Sequence, residues 1–325
     1  MNLISKLVNF TALSLFFISF TACSNDDDDG MPQVVETNTI ADFVAANDNY
    51  SSLAAALEVA GLTATLDGDT NYTVFAPDND AFAEFLSNNN FNSLGEVPVD
   101  LLQQILLNHV QQGVIKSGDL STGYISSMAV GSASSEKLSM YINTDAGVTI
   151  NGVSTVETAD IEVDNGVIHA VDAVIGLPDI TTFATADPNF SILVAALTRE
   201  PDYTFVETLM ATSDPAPFTV FAPTNQAFAD LLEELDVTGL GDISSEVLSK
   251  TLSYHVVTGA NVRSTDLSDG MNVGTLAAED FTVNLGENVT IIDVNERTAT
   301  VIAANVQANN GVIHVIDTVL LPTLE

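Results

Sequence analysis

Thr73-Val-Phe-Ala-Pro-Asp-Asn-Asp-Ala-Phe82 returns later in the chain as Thr219-Val-Phe-Ala-Pro-Thr-Asn-Gln-Ala-Phe228. Two further blocks keep step with it. Asn108-His109-Val110 returns at the same spacing as Tyr254-His255-Val256. Asn165-Gly-Val-Ile-His-Ala-Val-Asp172 returns as Asn310-Gly-Val-Ile-His-Val-Ile-Asp317, one residue closer. Upstream, Leu53 to Leu57 matches Leu193 to Leu197 at a shorter offset, so the second copy gains residues between Arg199 and Pro217. A period this long belongs to two globular domains in tandem, not to a solenoid of short repeats.

Each block has a local reading. Thr73-Val74-Phe75 is a short β-rich run that Pro77 ends, and Asp78 or Asn79 can cap the helix that follows. In that helix Phe82, Phe85 and Leu86 stand at i, i+3 and i+4, a stripe that faces a core. Phe228, Leu231 and Leu232 repeat the stripe, with Thr224 as the cap. Leu101 to Val110 predicts a second amphipathic helix, matched by Val247 to Val256. Asn165-Gly166 and Asn310-Gly311 are turn dipeptides that favour a hairpin. The strand after each turn is apolar on both faces: Val312, Ile316 and Leu320 on one, Ile313, Val315 and Val319 on the other. Such a strand is expected at the centre of its domain, covered from both sides. Pro178 and Pro322 close the copies at equivalent points.

These blocks resemble the fasciclin domain, whose first box has the form Thr-Val-Phe-Ala-Pro-x-Asn-x-Ala-Phe and whose second has the form Asn-Gly-Val-Ile-His-Val-Ile-Asp, with a Tyr-His pair between them. The resemblance covers nearly all of residues 36 to 322. It implies an α+β fold of two tandem fasciclin-like domains, each a wedge-shaped β-sandwich of two small sheets with helices packed alongside. It also implies adhesion or matrix contact in place of catalysis. In animal members the Tyr-His region and an Asp-Ile pair before the second box are implicated in integrin binding. That resemblance makes Tyr254, His255, Asp160 and Ile161 candidate binding residues. No single copy holds both features: the first has Asn108 at the tyrosine position, and the second has Asn305-Val306 in place of Asp-Ile.

Charge is the compositional outlier. The 325 residues include 44 acidic and 7 basic side chains, a formal net charge of -37. A field of that sign repels nucleic acid, and no basic patch offsets it, so no nucleic-acid partner is expected. The acid keeps an exposed protein soluble. Cys23 is the sole cysteine, which excludes an intramolecular disulfide. Each domain, at about 140 residues, is large enough to stand on packing alone.

Residues 1–22 read as a signal peptide. Lys6 supplies its positive end, and Leu7 to Phe20 is an apolar stretch too short and too interrupted by polar residues for a comfortable membrane span. The segment ends Phe20-Thr21-Ala22-Cys23, which resembles a bacterial lipobox with Phe20 in place of the usual leucine. By that resemblance Cys23 is lipidated and contact with the membrane is through the lipid anchor only. Residues 23–35 form an acidic tether, since Asp26 to Asp29 beside Gly30 and Pro32 cannot pack. An acidic run after a lipobox is similar to the tag that sends some lipoproteins to the outer face of the outer membrane. The domains are then expected at 36–178 and 179–325.

All four histidines, His109, His169, His255 and His314, fall inside the repeated blocks. A metal or acid–base site needs partners at defined spacing, and neither His-x-x-x-His nor His-Glu-x-x-His occurs. Asp67, Asp69, Asn71 and Asp78 have the order of a calcium loop, but Tyr72 stands where that loop needs glycine. There is no Gly-x-Ser-x-Gly elbow and no phosphate loop. The expectation is therefore buried structural histidines (His109, His169 and His314 as motif residues), no catalytic group, no metal and no cofactor. The function expected is a cell-surface lipoprotein that adheres to, or binds, an extracellular protein or polysaccharide. The alternative is an accessory outer-membrane lipoprotein that captures polysaccharide for separate enzymes.

Overall fold

The structure, a computed structural model, describes residues 38–324. Residues 1–35, where a signal peptide, lipidated Cys23 and an acidic tether are expected, lie outside the described residues. The stretch Thr37–Glu325 forms one compact unit that contains both repeats.

The first repeat opens with three helices, α1 (Ile40–Ala46), α2 (Ser51–Val59) and α3 (Thr63–Leu66). Strand β1 (Tyr72–Pro77) follows, then α4 (Asn79–Asn88) and α5 (Val99–Leu107). The rest is β: β2 (Val110–Gln112), β3 (Gly123–Val130), β4 (Lys137–Asn143), β5 (Thr149–Ile150), β6 (Ser154–Val163) and β7 (Gly166–Val171). The second repeat runs in the same order: α6 (Ile180–Ala186), α7 (Ser191–Leu197), α8 (Phe205–Met210), β8 (Phe218–Pro223), α9 (Asn225–Glu234), α10 (Ser245–Tyr254), β9 (Val256–Thr258), β10 (Met271–Gly274), β11 (Asp280–Leu285), β12 (Val289–Ile292), β13 (Thr298–Ala308) and β14 (Gly311–Ile316).

In each repeat seven strands hydrogen-bond in one order, β2-β1-β7-β6-β5-β4-β3 in the first and β10-β11-β12-β13-β14-β8-β9 in the second. The long strand β6 belongs to two halves: its start pairs with β5 and the remainder with β7. Register shifts along β6 mark bulges, which bend a strand and let one sheet turn into two facing layers. Phe75, Met140, Ile142, Ile150 and Val171 fill the space between the layers. On the outer face of β1 and β7 the helices bury Ile40, Val44, Leu53, Leu57, Phe82, Leu102 and Leu106 against Val74 and Ile168. Strand β14 is buried along its whole length and β7 at every position but Gly166, as their two apolar faces predict; β1 and β8 are buried throughout as well.

Two local readings are sharpened. Asp78 caps α4 by accepting from Ala81 N at 2.8 Å, whereas Asn79 turns away and accepts from Ser52 N at 2.8 Å, tying α4 to α2. The hairpins form, but their loop residues are Asp164-Asn165 and Asn309-Asn310, because Val163 pairs with Gly166 and Ala308 with Gly311. Gly166 (φ +152) is required by close approach: a Cβ there would lie 2.0 Å from the Tyr72 carbonyl oxygen, and one on Gly311 would lie 2.4 Å from that of Phe218. Asn165 acts as a hub. Its Oδ1 accepts from Ile40 N at 2.8 Å, and its Nδ2 donates to Leu66 O at 2.7 Å and Gly68 O at 2.8 Å. Asn310 does the same with Ile180 N, Leu209 O and Ala211 O.

The repeats are joined by more than their linker. Tyr141 of β4 is buried in the core of the second repeat. Tyr124 of β3 packs edge-on against Phe183, with ring centroids 5.6 Å apart, and donates its hydroxyl to Asp187 Oδ2 at 3.0 Å. Gln307 N donates to Ser139 Oγ at 3.0 Å, with both residues buried. Asn309 O accepts from Ala133 N at 2.9 Å and from the Ser132 hydroxyl at 2.9 Å. The backbones come so close that a Cβ on Gly131 would lie 2.7 Å from Asn309 Cα.

Candidate binding site

The four histidines make two pairs of equivalent knots. His109 and His255 end α5 and α10. Each Nδ1 donates to the carbonyl four residues earlier, Ile105 and Thr251, at 2.7 Å. Each Nε2 accepts a backbone N–H from the segment after the last strand, Ile175 at 2.8 Å and Leu320 at 3.0 Å. One neutral tautomer satisfies both contacts, so the ring ties helix to strand end. Burial pushes both imidazoles down to about 4. These rings are bases of negligible strength at neutral pH with no free nitrogen, which removes them from acid–base or metal chemistry.

His169 and His314 lie on β7 and β14. Their Nε2 atoms donate to Ile115 O and Val262 O, both at 2.9 Å. In the first repeat Nδ1 accepts from Asp160 N at 3.2 Å. His314 Nδ1 has no partner among the described residues, and burial lowers its basicity. Each of these rings packs on a phenylalanine of the neighbouring strand, Phe75 or Phe221, with centroids 5.6 and 5.3 Å apart.

Of the binding candidates suggested by sequence, Tyr254 and His255 are interior. Tyr254 is fully buried beside Phe281 and donates to Asp280 O at 2.8 Å. Asn108, at the same position of the first repeat, is also fully buried and donates to Gly176 O at 2.9 Å. A macromolecular partner reaches neither without opening the repeat. Asp160 and Ile161 sit together on the bulged part of β6. Asp160 has φ +60, and its carboxylate accepts from Ser117 N at 2.7 Å and the Ser117 hydroxyl at 2.5 Å. Those two contacts hold its carboxyl below the usual range. Asn305 repeats the arrangement with φ +63 and bonds to Ser264. Asp and Asn are the side chains that tolerate this backbone region best, which accounts for both. The structure does not bring Asp160 near Tyr254, since they belong to different repeats.

The concave feature at the join of the repeats was not visible in the sequence. A groove of about 620 Å³ runs between α4, α5 and the linker, and Thr182 and Asn309 reach it from the second repeat. Its polar wall carries Glu84, Asn88 and Asn89, all exposed; its apolar wall carries the half-buried Phe85, Phe91 and Leu177. Asn151 lies at its base, 3% exposed, with Oδ1 accepting from Tyr141 N at 2.7 Å and Nδ2 without a partner among the described residues. Amides that donate and accept, a carboxylate that accepts and an aromatic face together suit a hydroxyl-rich ligand with apolar C–H faces. Among the described residues no group of three or more His, Cys, Asp or Glu is placed to hold a metal ion.

Comparison with known proteins agrees with the architecture. The fasciclin domain model matches the chain twice, over residues 48–178 and 188–322. A fasciclin-like arabinogalactan protein of Arthroderma benhamiae is 28% identical over 271 residues, 79% of this chain and 60% of the relative. The cell surface glycolipoprotein MPB83 of Mycobacterium bovis is 34% identical over 145 residues, 44% of this chain and 60% of the relative. The matches thus span about 60% of the length of each of these relatives. The solved FAS1 domain pair from the insect cell adhesion molecule Fasciclin I aligns with a TM-score of 0.50 at 21% identity, over 84% of this chain and 97% of that one, a likeness of fold. With two α+β repeats of matching topology and the domain model matched over both, the chain belongs to the fasciclin domain family and carries that domain as a tandem pair.

Proposed function

We propose that this protein is a non-enzymatic cell-surface binding protein, anchored to the outer membrane through a lipid on Cys23, that adheres to an extracellular ligand through the groove at the junction of its repeats. The groove carries the reading. It is the kind of concave, mixed polar and apolar site that forms between domains, and it draws side chains from both repeats. Its amides, carboxylate and phenylalanines favour polysaccharide over a flat protein surface. The names of the relatives support a surface location: one is an arabinogalactan protein and another a cell surface glycolipoprotein. A net charge of -37 restricts the ligand to neutral or basic chemistry. In the accessory reading, the same groove holds polysaccharide for separate enzymes.

The test is binding of the full chain to a glycan array and to extracted matrix proteins, alongside the pair substitution Asn88→Ala with Asn89→Ala. Glycan binding that falls at least tenfold in the variant is expected. Binding to cells that protease abolishes and glycosidase leaves intact would assign a protein ligand instead. Saturable binding to neither class would overturn the proposal. The anchor is tested separately: Cys23→Ser should release the protein from the membrane fraction, and retention would refute lipidation at that residue.

A further inference from the structure

The second repeat contains a cavity of about 170 Å³ that enters between α6 and α7 and ends on the sheet. Its floor is Val220 and Ile313, its sides are Leu193, Val194 and Leu209, and nearly the whole lining is apolar. The threonine hydroxyls at its edge are already engaged: Thr185 donates to Thr181 O at 2.9 Å, and Thr198 to Val194 O at 2.8 Å. His255, at the back, has both ring nitrogens in hydrogen bonds. No polar ligand group finds a partner inside. The space therefore suits hydrocarbon alone, and cavities of this size lined by aliphatic side chains accept about one benzene-sized group.

The two repeats explain where the space comes from. Ile40 and Ile180 hold the same position, since each donates its N–H to the hub asparagine. Four residues on, Val44 of the first repeat is 1% exposed in the helical core, and its counterpart Ala184 lines the cavity. Likewise Leu66 and Leu209 correspond through their bonds to the same hub. Four residues earlier, Leu62 is buried, whereas Phe205 stacks edge-on against Tyr203, with centroids 5.3 Å apart. Phe205 still packs against that core, so the smaller side chain on α6 is what leaves the interior of the second repeat underfilled.

We infer that the second repeat binds the apolar end of an uncharged amphiphile, a chain or ring of about six to eight carbons, with its head group left at the mouth beside Thr181 and Thr185. The net charge of -37 disfavours an anionic head, so a neutral alcohol should bind better than the carboxylate of equal length. This site is independent of the junction groove, and its failure would leave the function proposed above untouched.

The experiment titrates 1-octanol into detergent-free full-length protein while the methyl resonances of Leu193, Val194, Val220 and Ile313 are followed by NMR. Saturable shifts confined to these methyls are expected, with octanoate at least threefold weaker. Ala184→Leu should weaken octanol at least tenfold while the protein stays folded. Should that variant not fold, the unaltered protein still decides the matter, through nuclear Overhauser contacts between octanol chain protons and the Val220 and Ile313 methyls. In the Cys23→Ser protein, which lacks the proposed anchor, sedimentation with phosphatidylcholine vesicles that Ala184→Leu abolishes would assign the chain end to a membrane lipid; octanol binding without sedimentation would assign it to a free molecule. Non-saturating shifts spread over both repeats, or binding unchanged in Ala184→Leu, would overturn the inference.

Discussion

Acidification from pH 7 towards 4 should remove stability through two side chains, His109 and His255. Both rings are buried, and desolvation lowers each from 6.5 to about 4. Above pH 6.5 the ring is neutral in folded and unfolded chains alike, and its two hydrogen bonds contribute in full. Between pH 6.5 and 4 the unfolded chain takes up a proton that the folded chain refuses, so stability falls with pH. The slope is about 1.4 kcal/mol per pH unit for each ring, or about 3 kcal/mol by pH 4 and roughly 6 kcal/mol for the two. A domain of ordinary stability holds about 5–15 kcal/mol, so the effect is large enough to unfold it. Acid also relieves the self-repulsion of a chain with net charge -37, which opposes the loss. The histidine contribution is therefore read as a difference. Urea unfolding at half-unit pH steps should give His109→Gln and His255→Gln slopes each about 1.4 kcal/mol per pH unit shallower than the unaltered protein. Equal slopes would refute the reasoning. So would His109 or His255 imidazole proton resonances of the folded protein that titrate near 6.5.

The hub asparagines offer a second test. Asn165→Ala or Asn310→Ala removes three hydrogen bonds to backbone groups and should cost about 3 kcal/mol, measured as a shift of the urea midpoint. An aspartate at either position should do no better, since its carboxylate would face two carbonyl oxygens. Gly131→Ala should loosen the junction, because its Cβ would meet Asn309 Cα at 2.7 Å. Small-angle scattering should then show a broader range of repeat separations than in the unaltered protein, with each repeat still folded. The underfilled second repeat predicts opposite signs at equivalent positions: Val44→Ala should destabilise by about 2 kcal/mol, and Ala184→Val should stabilise by about 1 kcal/mol, both seen by calorimetry.

Much of the site was only partly legible. The sequence placed His109, His169, His255 and His314 in motifs expected to be buried, and all four rings are buried. It could not show that His109 and His255 join helix to strand end, since the acceptors, Ile105 and Thr251, are local but the donors, Ile175 and Leu320, are remote. Tyr254 was a candidate contact through the family resemblance alone, since a tyrosine on an amphipathic helix reads the same whether its hydroxyl meets water or a carbonyl across the core. Asp160 was singled out for its neighbour Ile161, whereas its positive φ and its bonds to Ser117 become visible only in three dimensions.

The sequence by itself determined the duplication, the class of the main elements inside the repeated blocks and the identity of the central strands. Periodicity, caps and apolar runs are local signals, and a strand that is apolar on both faces must be covered on both. Only the tertiary structure decided which segments meet. It pairs β1 in parallel with β7, about two thirds of a repeat away, and bends β6 so that one sheet becomes two layers. It also docks Tyr124 and Tyr141 of one repeat into the other, and brings Thr182 and Asn309 of the second repeat to the groove beside α4 and α5. Burial is written residue by residue in side-chain chemistry, whereas the choice of partner is a property of the whole packed chain.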